Sequence, residues 1–280
     1  MKILVIGDFH GKFPEKLKRR IKNENVDLIL STGDYADTYI LRNLEFKYWD
    51  KLKNGFSFSR ILGKKKYKIL LRNAINSINL ILKKLKSLNK PIISIYGNSD
   101  ITNKEAKKYS LRGIETLSKH YNICLLKSNI TKFKGIIIAG ISGYRGASCK
   151  GLTKIEYKIK PKIKTINFNW NSKLSKIFKK DKNVNEWIFI AHDVPLRYFD
   201  KVKFKQSPMY GKYVGDEYLT KYIKKYQPKL FICGHMHEYQ GIKNLGKTRI
   251  ITTGAAQDGK AVIINLDEQK GKVKNIRFLR

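Results

Sequence analysis

Acidic residues are scarce in this 280-residue chain: 22 Asp+Glu stand against 59 Lys+Arg, a formal net charge of +37. Lysine-rich adaptation to heat usually enriches glutamate alongside to build ion-pair networks, so heat alone does not account for the surplus. Cysteine is sparse too. Cys124, Cys149 and Cys233 show no CxxC spacing, which excludes a disulfide scaffold and a thiolate zinc site and suits a reducing compartment. No apolar run approaches the roughly 20 residues of a membrane span. Near the start only Ile3–Ile6 run on as apolar before Gly7 and Asp8, too short for a signal-peptide core. The expectation is a cytoplasmic protein with no membrane partner. Repeats and Gly-, Ser- or Pro-rich linkers are missing as well. Residues 1–280 therefore read as one domain, although roughly 150 residues per domain would allow two.

What is present supports a large core: 42% of the residues are hydrophobic, too many for a disordered chain. The positive surplus would attract polyanions such as nucleic acids, nucleotides or an anionic membrane. A Lys-, Asn- and Ile-rich proteome would give the same composition, and both readings stay open. Short continuous apolar runs at Lys2–Ile6, Val26–Ser31, Pro91–Tyr96, Gly135–Ile141, Glu186–Ala191 and Pro228–Cys233 read as strands covered on both faces. Apolar residues recur at three and four through Lys65–Leu88 and predict a helix. Thr102 and Glu105 have capping-box spacing, predicting a helix through about His120. A third helix is expected over Val214–Tyr226, stopped by Pro228. Arg249–Thr253, Ala261–Leu266 and Val273–Leu279 read as a closing meander. Strand–helix alternation followed by a meander gives an α/β class with a mixed sheet system. Lys- and aromatic-rich stretches near 38–66 and 144–182, with Tyr39, Trp49, Tyr157, Phe168, Trp170 and Phe178 among them, read as insertions whose aromatics pack onto the core; a lid or base-stacking platform is the functional alternative.

The strand ends carry the chemistry. Successive apolar runs are followed by Gly7-Asp8-Phe9-His10, Gly33-Asp34-Tyr35-Ala36-Asp37, Gly97-Asn98-Ser99-Asp100, His192-Asp193 and Gly234-His235-Met236-His237. In open α/β sheets that edge is where ligands bind. Carboxylates, imidazoles and one amide oxygen suit divalent Mn, Fe, Co, Ni or Zn. There are too many ligands for one ion, and a carboxylate can bridge two. A pair of ions about 3.5–4 Å apart clamps a phosphate and generates hydroxide from a bridging water. Any one cluster alone is commonly a turn or a cap; the ordered set is what points to metals.

This order resembles the calcineurin-like metallophosphoesterase family over Ile3 to His237, that is, Asp-x-His, Gly-Asp-x-x-Asp, Gly-Asn-x-Asp, a lone His and Gly-His-x-His. The resemblance implies a four-layer α/β/β/α sandwich and two divalent ions, manganese foremost. It implies that Asp8, His10 and His237 hold the first ion, that Asp34 bridges both, and that Asn98, His192 and His235 hold the second. Asp37 and Asp193 would orient ligands, with Asp37 equally a helix N-cap. Many members carry His where this chain has Ser99; that His stabilises phosphoryl charge or protonates the leaving oxygen. Ser99 is no general acid near neutral pH, and Asp100, which orients the His in the family, is left to cap the next helix. The implied activity is a phosphodiesterase acting on nucleotide or nucleic-acid phosphoesters by attack of a metal-bridging hydroxide, with Asp34, Asn98, Ser99 and Asp100 in the catalytic set. The alternatives are a phosphomonoesterase or a non-catalytic scaffold. Arg145, Lys150, Arg197 and Lys212 are candidate phosphate binders, weighed against solvated surface charge. Gly143, Gly146, Gly211 and Gly215 suggest tight or mobile backbone near the site, and His120 reads as a surface or packing residue.

Overall fold

Continuous apolar runs become the inner strands of two six-stranded sheets in a computed structural model that describes residues 1–145, 161–180, 183–268 and 271–280. The first sheet has the order β12-β11-β1-β2-β3-β4. It comprises β1 (Lys2–Ile6), β2 (Leu28–Ser31), β3 (Ile92–Ser94), β4 (Cys124–Leu125), β11 (Ala261–Leu266) and β12 (Val273–Leu279). The second has the order β5-β6-β7-β8-β10-β9, with β5 (Ser128–Phe133), β6 (Ile136–Ile141), β7 (Ile188–Ala191), β8 (Leu230–Cys233), β9 (Gly241–Leu245) and β10 (Thr248–Thr252). Strands β1 to β4 run parallel, as do β6, β7, β8 and β10, while β5, β9, β11 and β12 are antiparallel to their neighbours.

Alternation of side chains explains why these strands are apolar without interruption. In β1, Ile3 and Val5 face the other sheet and meet Ile188, Ile190, Leu230 and Ile232. Leu4 and Ile6 face outward onto helices α1 (Glu15–Asn23), α5 (Lys64–Lys86) and α7 (Ile114–His120). The outer face of the second sheet, with Phe189 and Phe231, is covered by α8 (Pro161–Phe178) and α9 (Glu217–Tyr226) through Leu174, Phe178, Leu219 and Ile223. Helix, sheet, sheet and helix make the four layers that the resemblance implies. Helix α5 forms where the periodicity requires it. Tyr67, Leu71, Ala74, Ile78, Leu82 and Leu85 are buried on one stripe, and Lys83, Lys84 and Lys86 lie in the last turn, where they complement the helix dipole.

Three expectations need correction. The tail is not one meander. Strand β10 belongs to the second sheet, in a hairpin with β9, while β11 and β12 form a hairpin on the first sheet with β11 against β1. Residues 253–260 cross between sheets. The helix expected from Thr102 to His120 is broken into α6 (Asn103–Ala106), a 3-10 turn at Lys107–Tyr109, and α7. Ser110 turns left-handed at φ 57° and Gly113 N donates to Asn103 Oδ1 at 2.9 Å, so the chain doubles back and restarts. Thr102 does cap α6, but Glu105 accepts from the Tyr67 hydroxyl at 2.6 Å instead of closing a capping box. The helix expected from Val214 begins at Glu217, capped by Asp216, which accepts from Leu219 N at 2.9 Å.

The 38–66 stretch contains α2 (Tyr39–Lys47), α3 (Trp49–Lys53) and α4 (Phe58–Leu62). In the second insertion Trp170 and Phe178 are buried in the core beneath α8, while Phe168 stays exposed. Gly146, Cys149, Lys150 and Tyr157 lie outside the described residues. Among the described residues, no helix is long and apolar enough to cross a membrane.

Candidate metal centre

The carboxyl ends of β1, β2 and β3 deliver Asp8, His10, Asp34 and Asn98 to one rim, and those of β7 and β8 deliver His192, His235 and His237 to the same place. His10 Nε2 lies 2.9 Å from His237 Nε2, and His237 Nε2 lies 3.4 Å from Asp8 Oδ1. On the other side Asn98 Oδ1 is 2.8 Å from His192 Nε2 and 2.9 Å from His235 Nδ1, with the two ring nitrogens 3.2 Å apart. Asp34 Oδ2 stands between the groups, 3.6 Å from His10 Nε2 and 3.4 Å from His192 Nε2. Ligand atoms of Asp8, His10 and His237, and of Asp8, Asp34 and His192, fall within 4.8 Å of one another.

Backbone geometry aims these side chains. Asp8, His10, Asp34 and His235 all have positive φ, at 55°, 43°, 57° and 68°. For residues other than glycine this left-handed region costs on the order of 1 kcal/mol and persists where surroundings over-determine it, often at functional sites. The flanking glycines leave room for the ligands. A Cβ on Gly97 would stand 2.1 Å from Asp34 Oδ1 and 2.6 Å from His192 Nδ1, and one on Gly234 would stand 2.4 Å from Asp8 Oδ2.

The donor chemistry fits cations. The Thr32 carbonyl can only accept, so His192 Nδ1 donates to it at 2.9 Å, and Nε2 is the nitrogen turned toward Asn98 and Asp34. Asn98 Oδ1 is itself an acceptor, so the close approach of acceptor atoms is resolved by a proton or by a cation among them. Burial works against charge on His192, but the Asp34 carboxylate outweighs it and raises the ring to about 10. Burial opposes charge on His237 too, and the Asp8 hydrogen bond raises that ring as well. His10 moves the other way, lowered chiefly by burial. The Asp34 carboxyl is held low against a large burial penalty, chiefly by the His192 and His10 rings. A rim that stabilises positive charge beside Asp8 and Asp34 is one that divalent ions would satisfy more fully.

A calcineurin-like phosphoesterase family model matches residues 1–239. The chain belongs to the calcineurin-like phosphoesterase family. Members are metal-dependent phosphoester hydrolases that bind two divalent ions. No curated protein matches the chain. Among solved structures, a dimetal phosphatase from Danio rerio superposes with a TM-score of 0.54 at 8% identity, covering 100% of this chain and 96% of that one. A phosphopantetheinyl hydrolase from Mycobacterium tuberculosis gives 0.52 at 10% identity, covering 92% and 90%. A protein of Thermus thermophilus gives 0.50 at 15% identity, covering 100% and 99%. At these identities the likeness is one of fold.

Within the phosphoesterase rim, the residues after Asn98 differ from expectation. Asp100 is not the cap of the next helix, a part that falls to Thr102. Its buried carboxylate accepts from Asp34 N (2.9 Å), Tyr35 N (2.8 Å) and Gly97 N (2.9 Å), tying the second loop to the third. Burial, reinforced by the Asp34 charge, raises Asp100 to about 7 against the pull of these amides. Ser99 is buried, and it gives both its amide and its hydroxyl to Asp34, at 2.9 and 3.0 Å. Asp37 is exposed; its carboxylate accepts from Tyr39 N at the start of α2, which is the cap-like reading. Asp193 Oδ1 accepts from Val194 N. Arg145 is not a solvated surface charge, and its guanidinium is turned to protein partners and not to a phosphate. It is buried, bonded to Asp216 and Asn167 at 2.8 and 2.7 Å, and paired with Glu217. Arg197 lies 4.1 Å over the Tyr213 ring, Lys212 is exposed, and His120 is exposed with its ring against Tyr121.

A cavity opens beside the candidate ligands, lined in part by the 38–66 stretch for which a lid or base-stacking platform is the functional alternative. It has a volume of about 490 Å³, with Asn98, His235 and His237 on one side and Arg42, Phe46, Trp49 and Leu52 from α2 and α3 on another. Val202, Phe204 and Met209 close a third side, and Tyr144 lies with its ring 4.7 Å from that of His235. These residues come from an irregular loop and from helices that bury nothing at α2, so no periodicity marks them.

Proposed function

We propose that this protein is a dinuclear metal-dependent phosphodiesterase of nucleotide or nucleic-acid phosphoesters, with residues 1–280 acting as one domain in the cytoplasm. The convergence of Asn98 Oδ1, His192 Nε2 and His235 Nδ1 within 3.2 Å of one another, with Asp34 between them and the Asp8–His10–His237 group, carries the reading. Asp8, His10 and His237 would hold one ion, Asn98, His192 and His235 the other, and Asp34 both; manganese is the first candidate, ahead of Fe, Co, Ni and Zn. Two such ions supply Lewis-acid polarisation of a phosphoryl group and activation of water.

The chain's own residues do the positioning. Thr32 fixes the His192 tautomer through Nδ1, and Ser99 orients the Asp34 carboxylate through its amide and hydroxyl. Asp100 holds the Asp34 loop by its backbone. Such outer groups are worth about 10–100-fold in metal affinity or activity. Position 99 is a serine whose hydroxyl donates to Asp34, so it offers no imidazole to hold a proton for a departing alkoxide. That favours diesters with good leaving groups, or strained cyclic ones, over monoesters of poor leaving groups.

The test is a panel of bis-aryl phosphate, aryl monophosphate, 2′,3′- and 3′,5′-cyclic nucleotides, and single-stranded RNA and DNA, each with Mn, Co, Ni, Mg or Zn. Diester turnover that exceeds monoester turnover and disappears in Asp34→Asn is expected. Faster monoester turnover would replace this reading with a phosphomonoesterase. Stoichiometric metal without any turnover would replace it with a scaffold. A Ser99→His variant is expected to flatten the leaving-group dependence, and an unchanged dependence would count against the part given to position 99.

A further inference from the structure

Among the described residues, little of this protein's positive charge lines the cavity beside the candidate metal ligands. The chain carries 59 Lys+Arg, yet Arg42 is the one such residue among the described residues that line the cavity, and Glu45 and Glu238 line it too. A groove that tracks a nucleic-acid strand needs a series of cations, roughly one per phosphate neutralised. Among the described residues this cavity offers one. Its apolar wall includes Phe46, Trp49, Leu52, Phe204, Met209 and Met236, with the Phe46 and Phe204 rings 6.2 Å apart and inclined at 39°. At about 490 Å³ it falls within the range of small-molecule sites, roughly 300–1,000 Å³. Flat aromatic groups bind such walls by stacking.

Arg42 is placed between the two parts. Its guanidinium lies 5.8 Å from the centre of the Phe204 ring, and its buried Nε has no hydrogen-bond partner among the described residues. It lines the same cavity as Asn98, His235 and His237 of the rim. A guanidinium on the cavity wall, beside the candidate metal rim, suits a phosphoryl oxygen through its planar set of N–H donors.

We propose that the cavity is the subsite for a single aromatic ring system of a small phosphoester that brings one phosphoryl group, and that Arg42 is the residue that positions that phosphoryl group against the ligand rim. This rests on the phosphoesterase reading and narrows it from nucleic acids to small molecules of nucleotide size.

Phenylphosphonate and methylphosphonate share the anionic head and differ in the organic group, and neither is a hydrolysable ester. Their binding to the manganese-loaded protein is measured by calorimetry, beside a twelve-nucleotide single strand. Phenylphosphonate is expected to bind at least about fivefold more tightly than methylphosphonate. Phe46→Ala and Trp49→Ala are expected to close that gap, and Phe168→Ala, an exposed ring outside the cavity, to keep it. Arg42→Ala is expected to weaken both phosphonates alike by about tenfold or more, with partial recovery in Arg42→Lys. Equal binding of the two phosphonates, or a gap that survives both aromatic variants, overturns the ring subsite. A strand that binds more tightly than phenylphosphonate, with steep salt dependence, overturns the small-molecule assignment. An Arg42→Ala protein that binds both phosphonates as wild type does overturns the part given to Arg42. Failure of the loaded protein to hydrolyse any ester would strike the phosphoesterase reading alone, because the titrations do not depend on turnover.

Discussion

The ligand rim and the cavity wall meet at His235 and His237 but are built differently. Rim residues sit at the ends of buried strands, with left-handed backbone at Asp8, His10, Asp34 and His235 and glycines packed to within 3 Å of where a Cβ would lie. The wall is made of short helices and a loop. Helix α2 buries no residue and Phe204 is 43% exposed. The contrast separates two demands: the chemistry requires positions held to a fraction of an ångström, whereas selection of an organic group requires only an apolar surface of suitable size. The rim should therefore be intolerant of small changes and the wall permissive of large ones.

That comparison can be broken in four places, from the largest effect to the smallest. Asp34→Asn is expected to lower turnover by at least about a thousandfold, equivalent to roughly 4 kcal/mol, with loss of bound metal by elemental analysis. Gly97→Ala adds one methyl group 2.1 Å from Asp34 Oδ1 and is expected to weaken metal affinity about a hundredfold; a protein that binds metal normally would show the rim to be softer than its contacts imply. Asp100→Asn keeps the volume but puts an N–H₂ among backbone donors, and is expected to weaken metal affinity about tenfold, read by competition with a metal chelator. Phe204→Ala is expected to change stability by no more than about 0.5 kcal/mol in urea; a larger loss would show the wall to be structural.

The convergence of these residues on one rim was legible from sequence because each follows a continuous apolar run, and such runs become strands whose ends share one edge. The order of Asp8, Asp34, Asn98, His192 and His235 along the chain is the order of those strand ends. What Ser99 and Asp100 do was not legible: both bond to the Asp34 loop across the sheet, a contact no local spacing encodes. Arg145 read as a loop cation for the same reason, since its partners Asp216 and Glu217 are distant in sequence. The tail strands were found, but not their division between two sheets, because an antiparallel strand reads alike whichever neighbour it joins. The edge strands β5 and β9 are half polar and gave no run. Arg42, Phe46 and Trp49 belong to a stretch noted as aromatic and basic, and only the packing of α2 against the 199–214 loop, as in the Phe46–Phe204 contact, turns them toward the rim.

The candidate ligands are divided between the two sheets: Asp8, His10, Asp34 and Asn98 follow strands of one, and His192, His235 and His237 follow strands of the other. Elsewhere the halves meet through an aliphatic layer and a few hydrogen bonds, such as those from Tyr96 N to Ser142 Oγ and from Gln240 Nε2 to the Leu279 carbonyl. Ions seated at the rim would act as a rivet through both plates, so a chelator would be expected to loosen the molecule first at the edge where the two sheets share them.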